Sequence, residues 1–264
     1  MLRYRYFFAI FASLSFYNNF ASAKTGNPFS NNNNIYLSQT SSNGNPYITN
    51  NVSLDTIKSK ANHGDANAQL TLGLLYSLGK RVPVDHKKEL YWYQKAADQG
   101  NANAQLMLAL SYKDGIIISQ NDKKAAYWFQ KSADQGQPIA QFELGLMYYE
   151  GKGILQNSIK AKEYYQKAAN QGNVNALVNL GTMYDIGQGI PQDFKKAKIY
   201  FEKAIDKGSD LAKIKLGIKY QSGEGLPKDN KKALNLLQQG CKASPKLCDV
   251  QTHSIISKLK AQQN

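Results

Sequence analysis

Two short motifs carry the residue types of a serine hydrolase. Ser257 and Lys260 have the S-x-x-K spacing, and Lys24-Thr25-Gly26 forms K-T-G. In hydrolases that open β-lactam rings, these motifs act together with a third motif, S-D-N. Here K-T-G precedes S-x-x-K and S-D-N does not occur. The two matches therefore do not predict a catalytic serine.

The histidines, cysteines and glycines predict neither a metal site nor a phosphate loop. His63, His86 and His253 show no H-E-x-x-H spacing, and 2 cysteines are too few for the usual ligand patterns. Lys152 follows a glycine as in a P-loop, but Gly145 lies one residue too far before it. We therefore expect no metal, no cofactor and no enzymatic activity.

Composition predicts a folded protein with diffuse positive charge. The chain has 264 residues, of which 42% are hydrophobic, and a formal net charge of +14. That apolar fraction argues against wholesale disorder and against a multispan membrane protein. The cations are lysines except for Arg3, Arg5 and Arg81. Because arginine is the side chain that reads phosphates and bases bidentately, we expect no nucleic-acid partner.

Residues 1–23 have the order of a secretory signal peptide. Arg3 and Arg5 precede an uncharged run, residues 6–17, and Ala21-Ser22-Ala23 forms a cleavage site. The alternative is an anchor helix, but this run is shorter than the ~20 residues that span a bilayer. We expect cleavage after Ala23, export to the periplasm or the medium, and no transmembrane segment afterwards.

Residues 24–52 are rich in asparagine and serine and include the run 31–34 of four asparagines. Such a segment buries too little apolar surface to offset its ordering entropy. It is predicted to be a disordered tether, with an adhesive or partner-binding tail as the alternative.

A repeat of 36 residues occupies the rest of the chain. Glycine, leucine, tyrosine and a second glycine each recur five times at this spacing. The series are Gly64, Gly100, Gly136, Gly172 and Gly208; Leu72, Leu108, Leu144, Leu180 and Leu216; Tyr76, Tyr112, Tyr148, Tyr184 and Tyr220; and Gly79, Gly115, Gly151, Gly187 and Gly223. We place the repeats at 61–96, 97–132, 133–168, 169–204 and 205–240, within a folded region 53–264.

Each repeat is predicted to form two helices. The first has apolar residues at helical spacing and ends at a glycine suited to a left-handed cap. The second begins at an N-cap candidate. These candidates are Asp85, Asn121, Asn157, Asp193 and Asp229. An aromatic pair such as Trp92-Tyr93 or Trp128-Phe129 follows, and we expect both tryptophans to be buried. Gly73, Gly145, Gly181 and Gly217 lie inside the first helices, which predicts a close approach between helices there.

These residues resemble the SEL-one-like repeat (SLR), a tetratricopeptide-like family, most completely from Ala169 to Ala204. The resemblance implies an all-α fold, a right-handed α-solenoid of stacked antiparallel helix pairs, here with five repeats and a C-terminal capping helix at 241–264. Glu89, at an alanine position, and Ile117, at a turn glycine, depart from the pattern.

The resemblance implies that the concave face binds a protein or peptide. Members include periplasmic regulators and secreted host-interaction factors. The alternative is a β-lactamase-like hydrolase of the cysteine-containing SLR type. By analogy with tetratricopeptide grooves, the partner-binding residues are predicted to lie along the first helices. They are Asn67, Thr71, Asn103, Met107, Asp114, Glu143, Glu150, Asn175, Asn179 and Lys215. For the recurring asparagines, the alternative is a residue simply favoured near helix starts.

Lysine recurs near the start of every predicted second helix. This row consists of Lys88, Lys124, Lys160, Lys196 and Lys232, with further lysines beside most of them. It is interpreted either as a solvated face of the repeat or as a surface for weak contact with an anionic polymer or lipid.

Cys241 and Cys248 fall at two positions that alanine occupies in the preceding repeats. Small residues at both positions predict that two helices touch there, close enough for a disulfide between the cysteines. An exported protein would also meet an oxidising compartment. The alternative is a pair of buried free thiols.

Overall fold

The computed structural model describes residues 52–262, and within them the chain is helical. Twelve α-helices and one 3₁₀ turn follow one another without a strand in this part of the chain. The helices are α1 (Leu54–Asn62), α2 (Ala66–Leu78), α3 (His86–Asp98), α4 (Ala102–Asp114), α5 (Asp122–Asp134), α6 (Pro138–Glu150), α7 (Ser158–Asn170), α8 (Val174–Ile186), α9 (Phe194–Asp206), α10 (Asp210–Ser222), α11 (Asn230–Ala243) and α12 (Val250–Ala261), with the 3₁₀ turn at Pro245–Leu247. We call α2, α4, α6, α8 and α10 the first helices, and α3, α5, α7, α9 and α11 the second helices.

The predicted caps delimit the helices. Each of the five predicted N-cap side chains accepts a backbone N–H from the third residue of its second helix. The first helices α2, α6, α8 and α10 end at glycines with positive φ between 64° and 72°. Both signals were readable in the sequence because capping depends on local backbone geometry.

The glycines inside the first helices allow each helix pair to approach closely. A Cβ added to Gly181 would lie 2.7 Å from the Phe201 ring, and one at Gly145 would lie 2.8 Å from Tyr165. The same relation joins Gly73 to Tyr93 and Gly217 to Leu237. These distances are too short for a methyl group, so the close approach predicted from the glycines is confirmed.

The chain divides into two compact units after Leu108. In the first unit, α1 was not expected from the repeat pattern. Its Ile57 and Ala61 are buried against Ala68 and Leu72 of α2, so this short helix covers the apolar face of the first repeat. Solenoids need such a covering at their ends because a terminal repeat has no further neighbour.

In the second unit, each helix from α5 to α11 packs against its sequence neighbour. One continuous core includes Phe142, Leu180, Phe201 and Leu237. Consecutive second helices also lie side by side. Gln130 of α5 donates a hydrogen bond to the Tyr164 hydroxyl of α7 at 2.7 Å. The Tyr200 hydroxyl of α9 likewise donates to Gln166 of α7 at 2.5 Å.

In the turn after a first helix, the glycine two residues beyond the capping glycine allows close contact with the preceding repeat. Gly153 has a φ of 73° and lies against the backbone of Asp122, and Gly189 lies against Ser158. At the corresponding position of the first repeat, Arg81 adopts a φ of 64°, the one positive φ outside glycine among residues 52–262. Ile117 does not have a positive φ, as expected because a β-branched side chain disfavours that conformation.

The two tryptophans are only partly buried, so the expectation that both would be buried is wrong. The fully buried ring of each pair is the second one, Tyr93 and Phe129. The buried stripe of α5 runs through Ala125, Phe129 and Ala133. Trp128 precedes its centre by one residue, about 100° around the helix, and therefore lies at the edge of the core.

Candidate partner-binding face on the first helices

The ten predicted binding residues occupy three levels of the first helices. At the first turn, Asn67 and Asn175 are exposed and Asn103 is half-buried. At the second turn, the side chains are largely covered. Thr71, Met107 and Glu143 are buried there, and Asn179 and Lys215 are half-buried. At the last turn, Asp114 is half-buried and Glu150 is exposed. The exposed members of this set therefore lie at the first and last levels.

The second-turn level joins one repeat to the next. Lys113 of α4 and Glu143 of α6 form an ion pair with an N–O distance of 2.7 Å. Burial alone would lower the pKa of Lys113, but Glu143 more than offsets it, and the pKa of Lys113 is raised. Glu143 is thus committed to holding α6 beside α4.

The next junctions use different chemistry, and the ion pair of the second one lies near the last turns of its two helices. Between α7 and α8, Asn179 lies near the Tyr165 hydroxyl, which makes no hydrogen bond within the described residues. Burial raises the pKa of this hydroxyl well above its usual value. Between α8 and α10, Asp185 pairs with Lys219 at 2.7 Å. Burial lowers the pKa of Lys215, and the nearby Asp185 opposes that shift.

The repeat pattern did not predict a role for Lys113 or Asp185. A signal was present, since Lys113 and Glu143, like Asp185 and Lys215, are opposite charges 30 residues apart. This spacing of 30 residues differs from the repeat period of 36, so the two pairs are not visible when the repeats are aligned.

Among the first-turn asparagines, Asn67 is bonded to the residue that caps the next first helix. The Asn67 side-chain oxygen accepts from the side-chain nitrogen of Asn101 at 3.0 Å, and Asn101 in turn accepts the Ala104 N–H as a helix cap. Asn67 remains exposed despite this bond. The amide groups of Asn67 and Asn175 can therefore bond a partner's backbone from the helix starts.

Acidic side chains gather at the last-turn level of α4 and α6. Burial raises the pKa of Asp114, with Lys113 opposing the shift and Glu143 adding to it. Burial likewise raises the pKa of Glu150, and Lys152 opposes that shift. Glu143 acts on both carboxylates, and the nearby Lys113 and Lys152 partly offset their charge.

The lysine row has an internal role in the repeat. The five ammonium groups lie 5.1 to 5.5 Å from the ring centroids of the last-turn tyrosines of the first helices. Lys88, Lys196 and Lys232 also pair with the aspartates that cap their helices. These are cation–π and surface ion-pair contacts within one repeat. The lysines nevertheless remain exposed.

The buried Glu89 occupies the position at which the other repeats have alanine. Its carboxylate lies 2.8 Å from the His86 ring. Burial raises the pKa of Glu89, and hydrogen bonds from His86 and Ser77 oppose that shift. The hydrogen bond from His86 therefore partly compensates for burying the Glu89 carboxylate.

The hydrolase motifs find no support among the described residues. The Ser257 hydroxyl donates to the backbone carbonyl of His253 one turn earlier in α12, and Lys24-Thr25-Gly26 lies outside residues 52–262. Within those residues, no group of three or more His, Cys, Asp or Glu side chains could hold a metal ion.

The two cysteines of the chain form a disulfide. Cys241 of α11 and Cys248, just before α12, are bonded, and their Cα atoms lie 5.6 Å apart. The bond closes the segment that contains the 3₁₀ turn. Ile256 and Leu259 of α12 are buried against the end of the second unit, as a capping helix requires.

An all-α array of helix pairs, three of which pack through a glycine–aromatic contact, defines a tetratricopeptide-like repeat protein. Comparison with family profiles identifies five Sel1 repeats, at 66–101, 102–137, 138–173, 174–209 and 211–245. The chain belongs to the Sel1 repeat family. The first four matched windows start five residues after the bounds predicted above and the fifth starts six residues after. The number of repeats and the α-solenoid fold class are confirmed.

Two solved structures show the same fold. One is c5321, described as a protective antigen of uropathogenic Escherichia coli with an SLR fold, with 31% identity and a TM-score of 0.70 over 73% of this chain. The other is a Sel1 repeat protein from Oxalobacter formigenes, with 31% identity and a TM-score of 0.68 over 79% of this chain. The matches span 41% and 59% of those two chains. A search of curated proteins gave no match.

Proposed function

We propose that this chain is an exported interaction module that binds a protein or peptide partner along its first helices. The observation that carries the proposal is that some residues of that face pack between repeats while others stay exposed to solvent. In the second unit, Glu143 and Asn179 face a neighbouring repeat at the second turn, whereas Asn175 and Glu150 remain exposed at the first and last turns. Proteins with this repeat fold generally act in protein–protein interaction.

Export is supported by the signal-like order of residues 1–23 and by the cysteine pair at the C-terminal cap. No helix among residues 52–262 is long and apolar enough to cross a membrane. Periplasm and external medium remain the two proposed destinations.

Site-specific photo-crosslinking in the native cell tests the binding face. A photoreactive residue at Glu150 or at Asn175 should yield a defined adduct with one partner. The matched control places the same residue at Asn235, which is exposed on the second helix α11, and should yield none. Adducts from Asn235 alone would overturn the proposal, as would the absence of an adduct at both first-helix positions.

A further inference from the structure

In the second unit, two second helices carry an apolar side chain between lysines on their solvent side. On α5, Lys123 and Lys131 flank Tyr127 at spacings of four residues. On α9, Lys195 and Lys203 flank Ile199 in the same way. We call these six residues the outer stripe. Tyr127 is 54% exposed and Ile199 is 47% exposed. Removing such apolar surface from water would be favourable.

The outer stripe belongs to one continuous layer of the second unit. The helix α7 lies between α5 and α9 and is bonded to both through Gln130–Tyr164 and Gln166–Tyr200. It adds another exposed apolar side chain, Ile159, which is 58% exposed. The apolar side chains of three adjacent helices therefore point away from the same core.

The layer carries excess positive charge. None of the four outer-stripe lysines takes part in an ion pair among the described residues. Lys131 lies 5.7 Å from the centroid of the Tyr127 ring, so the exposed ring carries an adjacent cation. Of the acidic groups in this layer, Glu202 is paired with Lys198 and Asp134 accepts a hydrogen bond from Gln130. The exposed Glu163 occupies on α7 the repeat position of Tyr127 and Ile199. Glu163 and Asp206 are too few to neutralise the lysines of the three helices.

We propose that the outer stripe docks the protein on a bilayer surface with anionic headgroups. Lysines attract such a surface within about a Debye length, and their apolar stems let the ammonium groups reach the phosphates. Tyrosine and isoleucine between them can then enter the interface between headgroups and acyl chains. A polyanion such as nucleic acid fits less well, because the layer has no arginine and its exposed apolar groups would stay in water.

This docking surface lies on the second helices and leaves the proposed partner-binding face on the first helices free. The protein would therefore bind its partner while held at a membrane. The two proposals can fail independently, since one is tested with lipid vesicles and the other with a protein adduct.

Vesicle co-sedimentation of the full chain tests the proposal. We expect binding to phosphatidylcholine vesicles that contain 30% phosphatidylglycerol, and at least about tenfold weaker binding when Lys123, Lys131, Lys195 and Lys203 are changed to glutamine. The matched control changes Lys228, Lys246, Lys258 and Lys260 to glutamine. These lysines are exposed elsewhere, so the control has the same net charge and should bind like the unmodified chain. Residues 6–17 are common to all variants, and circular dichroism verifies the fold of each.

The apolar side chains are tested separately. Tyr127→Ser with Ile199→Ser should weaken binding severalfold, whereas Leu155→Ser with Val250→Ser, at positions 89% and 87% exposed, should not. Equal loss in the two lysine variants would mean diffuse attraction and would overturn the site. Binding to duplex DNA that depends on the outer-stripe lysines, together with vesicle binding unaffected by Tyr127→Ser and Ile199→Ser, would instead identify a polyanion surface.

Discussion

At the scale of residues, the two adjacent aromatic positions of a second helix have different energetic roles. Phe201 is 1% exposed and fills the space left by Gly181. Trp128 is partly exposed and makes an edge contact with Tyr127, with ring centroids 5.0 Å apart. The larger ring is therefore not the one that contributes most to the core.

We expect Phe201→Ala to lower the free energy of unfolding by about 3–5 kcal/mol, because it leaves a cavity in a close-packed interface. Trp128→Ala should cost only about 1–2 kcal/mol, since much of the indole already contacts water. Urea unfolding of both variants measures the difference. Equal losses would show that the indole is buried in solution.

At the scale of elements, the C-terminal helix α12 depends on few contacts. It packs mainly against α11, and its buried residues are Thr252, Ile256 and Leu259. The disulfide between Cys241 and Cys248 tethers the segment just before this helix. A terminal element with one packing partner is prone to fraying, so a short covalent closure has most effect there.

Replacing both cysteines with alanine should therefore loosen α12 before the repeats. The chain-entropy model gives a loss of about 2.5 kcal/mol for so short a loop. Hydrogen exchange should show faster exchange of the Val250–Ala261 amides and little change in α6.

Mass spectrometry of the unreduced protein provides the check on the bond itself. Alkylation after denaturation should modify neither cysteine. Two alkylated thiols would show that the cysteines are free in the native protein and that the alternative of buried thiols is correct.

At the scale of the whole molecule, stability depends on the junctions between repeats, since each repeat contacts only its neighbours. Ion pairs between successive first helices give the junctions distinct partners. Lys113 pairs with Glu143 at one junction, and Asp185 pairs with Lys219 at another. Identical apolar junctions would permit several registers of stacking. Distinct polar pairs favour one order, because a mismatched junction would bury an uncompensated charge.

A double-mutant cycle on Lys113 and Glu143 tests this role. Lys113→Met and Glu143→Met should each destabilise the protein by about 2–4 kcal/mol, because each leaves a largely buried charge without its partner. The double variant should recover much of this loss, with a coupling free energy of at least about 1 kcal/mol.

The matched control cycle uses Lys198 and Glu202 of α9, whose side chains are 35% and 44% exposed. An exposed pair of this spacing should show a coupling below about 0.5 kcal/mol. Equal coupling in the two cycles would contradict a special role for the junction pair.

The sequence by itself determined the repeat, its two helices and their boundaries. Capping aspartates and glycines act within a few residues, and their effect does not depend on distant parts of the chain. The period of 36 residues then implied stacking, and the glycines inside the first helices implied close packing. These inferences succeeded because each rests on local geometry repeated five times.

Only the tertiary structure decided which side chains of a helix are covered and by what. Thr71, Met107 and Glu143 share a position predicted to face a partner, yet the neighbouring structure buries them. Trp128 and Phe129 are adjacent in sequence. The rotation of about 100° per residue along the helix places Phe129 in the core and Trp128 at its edge. Burial depends on the angle at which one repeat stacks on the next, and that angle is set by long-range packing that no single repeat encodes.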